Sequence, residues 1–152
     1  MKVTGFSFIR NAIRNDYPIS EAIKSILPLC DEFVVAVGVS ADDTLSLIRQ
    51  IGSPKIRIIE TTWDEKAREG GRAFEMETDK AYAAISEDTD WAFYIQGDEV
   101  VHEQYHAEIR KAMETYRDDE AVEGLLFRYL HFYGSYDYVA SSRRWYRNEI
   151  RV

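Results

Sequence analysis

The sequence predicts an α/β fold: a mostly parallel open sheet with alternating helices. Two patterns carry that expectation. The first is the short, continuous apolar run bounded by polar residues, clearest in Phe33-Val34-Val35-Ala36-Val37-Gly38-Val39, which is too short for a typical helix and fits a strand covered on both faces. The second is the return of apolar residues at spacings of three and four between such runs, the mark of amphipathic helices. Four strand–helix units in succession imply parallel strands joined by crossovers.

Taken in order, Val3 to Ile9 reads as the first strand, and Asn15-Asp16-Tyr17-Pro18 as a turn. Ile19, Ala22, Ile23, Ile26, Leu27 and Cys30 then mark a helix that Pro28 helps to close. After the apolar strand, Ser40 or Asp42 can cap a helix with the stripe Leu45, Ile48 and Ile51, and Gly52 is its stop signal. Lys55 to Glu60 forms a third strand, Arg72 to Ile85 a helix, Trp91 to Ile95 a fourth strand, and Tyr105 to Tyr116 another helix. Glu123 to Phe132 and Arg143 to Val152 read as a fifth and a sixth strand. One domain spanning 1–152 suits the 152 residues, and the strand-like run to Val152 leads us to expect truncation there, with a natural edge strand as the alternative.

Composition excludes several classes. With 19 Lys+Arg against 27 Asp+Glu the net charge is −8, so nucleic-acid binding is not expected, there being no basic excess to displace counterions. The single Cys30, on an apolar helical stripe, rules out a disulfide framework and is expected as a buried thiol. No apolar run reaches the ~18 residues of a membrane span, and Met1 to Phe8 lacks the features of a secretory signal, so a cytoplasmic location is expected.

In open α/β sheets, ligands bind beyond the carboxyl ends of the strands. Gln96-Gly97-Asp98-Glu99 sets two carboxylates directly after an apolar strand. That suits a hard divalent cation, which takes one or two carboxylates and leaves its remaining positions to water and phosphate, while Gly97 lets a diphosphate approach the backbone. It equally suits a turn in which Asp98 caps the next helix. Trp63 to Arg72 is the second cluster: Gly70-Gly71 before a helix frees backbone N–H groups near the positive end of the dipole, and Arg68 and Arg72 supply charge-assisted bonds. A solvated loop would show the same composition. There is no Gly-Lys-Ser/Thr element and no GxGxxG fingerprint. His102 and His106 lie four apart but do not form HExxH, and solvated helix-start residues are expected there rather than a zinc site. Tyr129, Phe132, Tyr133, Tyr136, Tyr138 and Trp145 offer aromatic faces suited to sugar rings or equally to a core or interface; His131 and Asp137 stand among them, and Arg143 and Arg144 follow.

The order of Phe8-Ile9-Arg10-Asn11, Asp31-Glu32-Phe33-Val34-Val35, Ser40-Ala41-Asp42-Asp43-Thr44 and Gln96-Gly97-Asp98-Glu99 resembles the nucleotide-sugar-binding half of a family-2-type glycosyltransferase of the GT-A, Rossmann-like fold. The resemblance implies nucleotide contacts from Arg10, Asn11, Asp42, Arg68, Gly71, Arg72 and Gln96. It also implies a metal site for Mg²⁺ or Mn²⁺ on Asp98 with Glu99 in support. Two departures stand out. Gln96 replaces the first Asp of the Asp-x-Asp motif, and Val37 or Gly38 replaces an acidic residue at the end of the second strand, leaving Asp42 as the nearest contact for base or ribose.

The activity implied is transfer of a sugar from a nucleoside-diphosphate donor to an acceptor hydroxyl on a glycan, lipid or small molecule. Asp98 is its catalytic metal carrier and Asp137 a candidate base. The alternatives are a sugar nucleotidyltransferase, whose glycine-rich, Arg-bearing N-terminal loop is missing, and a non-catalytic nucleotide-binding or assembly module. No transmembrane segment is expected, and the aromatic C-terminal stretch makes a homo-oligomer a further expectation.

Overall fold

The structure is a computed structural model that describes residues 1–64, 66–67, 71–140, 142 and 144–152. At its centre are β1 (Val3–Ile9), β2 (Glu32–Gly38), β3 (Ile56–Thr61) and β4 (Trp91–Tyr94), hydrogen-bonded in the order β3-β2-β1-β4. Every pairing is parallel, with registers that include Ser7↔Val35, Gly5↔Phe93 and Val35↔Ile58. Helices α1 (Ile19–Ile26), α2 (Thr44–Arg49) and α3 (Arg72–Ala83) make the crossovers, and α4 (His106–Tyr116) follows β4. The α/β parallel sheet expected from the sequence is the observed one. Glu32 and Trp91 lie at its amino end, while Ser40 and Asp98 follow strands at its carboxyl end.

The period-2 alternation of the strands sorts the two faces. Phe33, Val35 and Val37 join Phe93, Ile19, Ile23, Ile48, Ile109 and Met113 in a large core beneath α1, α2 and α4. Val34 and Ala36 point the other way and join Phe6 and Ala81 beneath α3. β2 is therefore buried on both faces, as its unbroken apolar run predicts.

Helix α1 stops at Ile26, short of the Cys30 that closes its sequence stripe, and continues as one 3₁₀ turn over Leu27–Leu29. Pro28 is the cause: it has no N–H to give to the carbonyl four residues back. Cys30 is buried with its thiol donating to the Ile26 carbonyl at 3.3 Å, and burial pushes its pKa up to about 12.

The C-terminal third departs most from expectation. The fifth strand shrinks from 123–132 to β5 (Leu126–Arg128). Next, β6 (Phe132–Tyr133) and β7 (Ser135–Val139) form a separate antiparallel hairpin through Gly134, and the sixth strand shrinks to β8 (Asn148–Ile150). Arg144 to Arg147 is not extended in a ladder; here the Tyr129, His131 and Tyr146 rings pack on one another, and the His131 imidazole meets the Tyr146 carbonyl at 2.5 Å. Arg143 lies outside the described residues. β8 runs antiparallel to β5, and the chain then passes between β4 and β5: Tyr94 N donates to Arg151 O at 2.8 Å, and Leu125 N to Val152 O at 2.7 Å. Among the described residues no helix is long and apolar enough to cross a membrane.

At the amino end of the sheet, carboxylates staple the strands. Glu32 accepts from Ser86 and Arg57, and Asp90 accepts from the Lys2 backbone N–H and pairs with Arg117 at 3.2 Å. The Ser86 hydrogen bond, against the opposing effect of burial and with help from Arg57 and Lys2, holds Glu32 below its ordinary pKa. The Lys2 backbone bond, again opposed by burial and aided by Arg117, lowers Asp90. A carboxyl with a depressed folded pKa adds stability above its unfolded pKa and loses it as pH falls through the folded one. The urea midpoint should therefore fall as pH drops below about 5 and through the lowered folded values, and Glu32→Gln should flatten the decline.

Candidate active site

The carboxyl ends of β1, β2 and β4 meet in one region. The turn after β1 is tied to the turn after β2 by an exchange of hydrogen bonds: Asn11 N donates to Ser40 Oγ at 3.0 Å, and Ala41 N to Asn11 Oδ1 at 2.7 Å. Ala12 N donates to Thr44 Oγ1 at 2.7 Å, and Arg14 N to Asp42 Oδ2 at 2.8 Å. Asn11 adopts a positive φ of 53°, a conformation that short polar side chains tolerate. Four residues singled out from sequence are thereby placed. Arg10 lies beside β2, its Nε donating to Val39 O at 3.1 Å, and Asn11 links the two turns. Ser40 and Asp42 receive backbone amides, so the Asp42 carboxylate is engaged with Arg14 and Thr44 rather than held open. Burial alone would raise the Asp42 pKa, but the Thr44 hydroxyl and the backbone N–H groups of Arg14, Thr44 and Ile13 outweigh it and lower the value. The N-cap position of α2 is Asp43 rather than the expected Ser40 or Asp42; Asp42, one residue earlier, accepts Thr44 N at 3.1 Å in a turn that leads into the helix.

A stacked cluster walls the next side. Trp63 packs against Phe8 and Phe74 at ring-centroid distances of 5.8 Å each, and the Arg10 guanidinium carbon sits 5.6 Å from the Trp63 ring centre. This arrangement needs a glycine at 38, because a Cβ there would come within 2.3 Å of Trp63 Nε1. The Trp63 indole N–H is itself buried and has no hydrogen-bond partner among the described residues. Gly38, which stands where the resemblance leads one to seek an acid, is thus accounted for by this close packing. Helix α3 starts in the same region: Gly71 holds φ +78° with open space around it, and Arg72 is the exposed first helical residue. Only glycine adopts that left-handed angle without cost. Arg68 and Gly70 lie outside the described residues.

Gln96 to Glu99 turns immediately beyond β4. Asp98 is exposed, while Glu99 N donates to Gln96 O at 3.2 Å and Gln96 N to Glu99 Oε2 at 3.1 Å. Glu99, expected as a second metal ligand, has another partner. Arg151 bonds it in bidentate fashion, Nη2 to Oε1 at 2.7 Å and Nε to Oε2 at 3.0 Å, with both side chains about nine-tenths buried. The Arg151 guanidinium carbon lies 5.3 and 5.2 Å from the ring centres of Tyr94 and Tyr129. Burial works against the Arg151 charge, but the bond to Glu99 and its negative charge more than offset it and hold the pKa above the ordinary value. Burial and the charge of Glu99 also push the Tyr129 phenol strongly upward. Gly97 has a packing role as well. A Cβ there would meet Ile9 Cδ1 at 3.0 Å, so its missing side chain serves packing against β1.

The remaining sequence candidates fall elsewhere. Asp137 is exposed on β7 and accepts from Ser135 Oγ at 3.3 Å; among the described residues no hydrogen bond or ion pair joins it to residues 96–99. His102 accepts Gln104 N at 3.2 Å through Nδ1, and the His106 ring lies 2.7 Å from Ser25 O on α1, so each ring is engaged with a separate partner. Among the described residues no three His, Cys, Asp or Glu side chains converge on one point. A lone exposed carboxylate still fits Mg²⁺ or Mn²⁺, since such ions keep most positions for water and phosphate oxygens. Sequence reasoning passed over Arg151; an arginine inside the otherwise strand-like Glu149-Ile150-Arg151-Val152 was its one available signal.

No family model matches the chain, and no curated protein matches it in sequence. Solved structures do match in fold. A structure of residues 1–349 of S. aureus TarS superposes with a TM-score of 0.53 at 16% identity, covering 76% of this chain and 33% of that one. The 4-diphosphocytidyl-2C-methyl-D-erythritol synthase of Anaerococcus prevotii DSM 20548 gives a TM-score of 0.56 at 13% identity, covering 99% of this chain and 67% of that one. The chain spans about a third of the length of the TarS structure it matches. With its parallel sheet, alternating helices and strand-end turns, the chain has a GT-A-like, Rossmann-like α/β fold.

Proposed function

We propose that this chain is the nucleotide-sugar-binding portion of a glycosyltransferase that moves a sugar from a nucleoside-diphosphate donor to an acceptor hydroxyl. The observation that carries the reading is the position of Asp98: a single exposed carboxylate at the carboxyl end of β4, beside the joined turns of β1 and β2, in a GT-A-like fold. In transfer, the bond from the anomeric carbon to the diphosphate oxygen breaks and the diphosphate leaves with the electron pair. The acceptor oxygen forms the new bond and gives its proton to a base. Asp98 would hold Mg²⁺ or Mn²⁺, which when bound neutralises charge growing on the leaving diphosphate. Arg10 and Arg72 would add positive charge, Gly71 would open the start of α3 to phosphate, and Gln96, Asn11 and Asp42 would shape the nucleotide side. Asp137 remains the base candidate within the chain. Elsewhere on the same C-terminal segment, Tyr133, Tyr138 and Trp145 line a shallow cleft of about 320 Å³ that Asp137 does not line, whose aromatic faces suit a sugar-bearing acceptor.

The likeness to the diphosphocytidyl synthase, which extends over almost the whole chain, favours nucleotidyl transfer as a second reading. Incubation with nucleoside-diphosphate sugars on one side, and with nucleoside triphosphate plus sugar phosphate on the other, separates them: release of nucleoside diphosphate supports the first, release of pyrophosphate the second. Binding offers an independent check. UDP with Mn²⁺ at about 100 times its dissociation constant should stabilise the fold by about 2.7 kcal/mol, and UDP alone by less. GDP and dTDP belong in the same panel. Equal thermal shifts with and without metal would remove the metal from the reading.

A further inference from the structure

We infer that Arg151 is a positioning residue that fixes the Gln96–Glu99 turn and so aims Asp98 at the ligand. The inference rests on the glycosyltransferase reading for what Asp98 does, though not for how the turn is held.

The turn needs an anchor. It is four residues long, follows directly on β4, and presents an exposed Asp98 next to Glu99. Two like charges side by side, in a chain already at −8, would drive each other apart unless one were neutralised. Arg151 does this from a distant part of the chain, 52 residues on. Its fork meets both oxygens of Glu99, and one of the same oxygens accepts the backbone N–H of Gln96. The guanidinium thus reaches the start of the turn through Glu99, and the Gln96 carbonyl closes the ring by accepting Glu99 N.

The arginine is in turn held on three sides. Tyr94 and Tyr129 both present their rings to it, and its own backbone is held by hydrogen bonds, Arg151 O accepting from Tyr94 N at 2.8 Å and Arg151 N donating to Leu125 O at 3.1 Å. A planar, bidentate, stacked guanidinium leaves the carboxylate one orientation, which a lysine ammonium would not impose. Partners that bond a metal ligand directly typically control affinity by about 10–100-fold; Arg151 acts one residue away, through Glu99, so the lower end of that range applies.

The test compares Arg151→Gln, Arg151→Lys and the charge-free pair Glu99→Gln/Arg151→Met, which leaves no unpaired buried ion if the single variants fail to fold. Two readouts are taken on each: hydrogen exchange at the Gln96 and Glu99 amides, with Phe6 and Val35 as sheet controls, and Mn²⁺-dependent UDP binding. Arg151→Gln should speed exchange at the two turn amides and weaken Mn²⁺–UDP by about tenfold, with the sheet amides unchanged. Arg151→Lys should recover only part of each. A folded Arg151→Gln protein with turn exchange and UDP affinity both within about twofold of wild type would overturn the inference. Should the wild-type protein bind no UDP with or without Mn²⁺, the functional reading falls and turn exchange alone decides whether Arg151 holds the turn.

Discussion

Asp98→Asn should lower the rate of nucleoside-diphosphate release from the productive donor by about 10²–10³-fold, in the range measured when a charge-stabilising group is removed from a transition state. The amide would keep the size and one oxygen of the carboxylate but not the charge that holds a divalent ion. Because Asp98 is exposed on a turn whose buried contacts belong to Gly97 and Glu99, the urea midpoint should stay close to wild type, within about 0.5 kcal/mol. The effect should fall mainly on kcat, since charge on the diphosphate builds as the sugar leaves. An Asp98→Asn enzyme that retains a large share of its rate would make Asp98 a turn residue and nothing more.

The largest stability effect is expected at Phe33. Its side chain is completely buried at the start of β2, in the core that joins the sheet to α1. Phe33→Ala should cost about 3–5 kcal/mol, the sum of lost transfer energy and the cavity left behind. The cavity would be slow to collapse for a specific reason. On β1 the residue paired with Phe33 is Gly5, where an added Cβ would come 2.5 Å from the Phe33 ring and 2.9 Å from Cys30 Sγ. The ring therefore fills the space above a residue with no side chain to move in. This gives a double-mutant check: Gly5→Ala should destabilise the wild-type core but cost less, or even stabilise, in the Phe33→Ala background. Urea unfolding of the four proteins measures the coupling.

The parallel sheet was legible in the sequence because burial imposes a period. β2 lies between two cores, so its run from Phe33 to Val37 is apolar throughout, and the stripe Ile19, Ala22, Ile23, Ile26 of α1 has only one face to bury. The turns after β1, β2 and β4 could be located for the same reason, since each begins where an apolar run ends. What could not be read was which polar atoms the fold consumes. Asp42, Glu99 and Gly97 have the residue types of a ligand site, yet hydrogen bonds from Arg14 and Thr44, the guanidinium of Arg151 and the methyl of Ile9 engage them first. Most of those partners are distant along the chain, and no local spacing announces them. The shortfall at β5 to β8 has another origin: β6 and β7 are exposed along their length, so no buried face marks their limits, and Tyr129, His131 and Tyr146, which look like strand residues, pack on one another outside any strand.

The contact between Arg151 and Glu99 also orders events in time. During synthesis, 52 residues separate the two partners, and at usual elongation speeds of ~5–20 residues per second the ribosome needs roughly 3–10 s to cover that stretch. Until then Tyr94 N has no Arg151 carbonyl to meet, and Glu99 stands beside Asp98 without its counter-charge. The segment after β8 brings the missing carbonyl and the missing cation together on a single residue. The backbone bond beside β4 and the neutralisation of Glu99 are therefore tied to one residue, and neither can form before Arg151 is made.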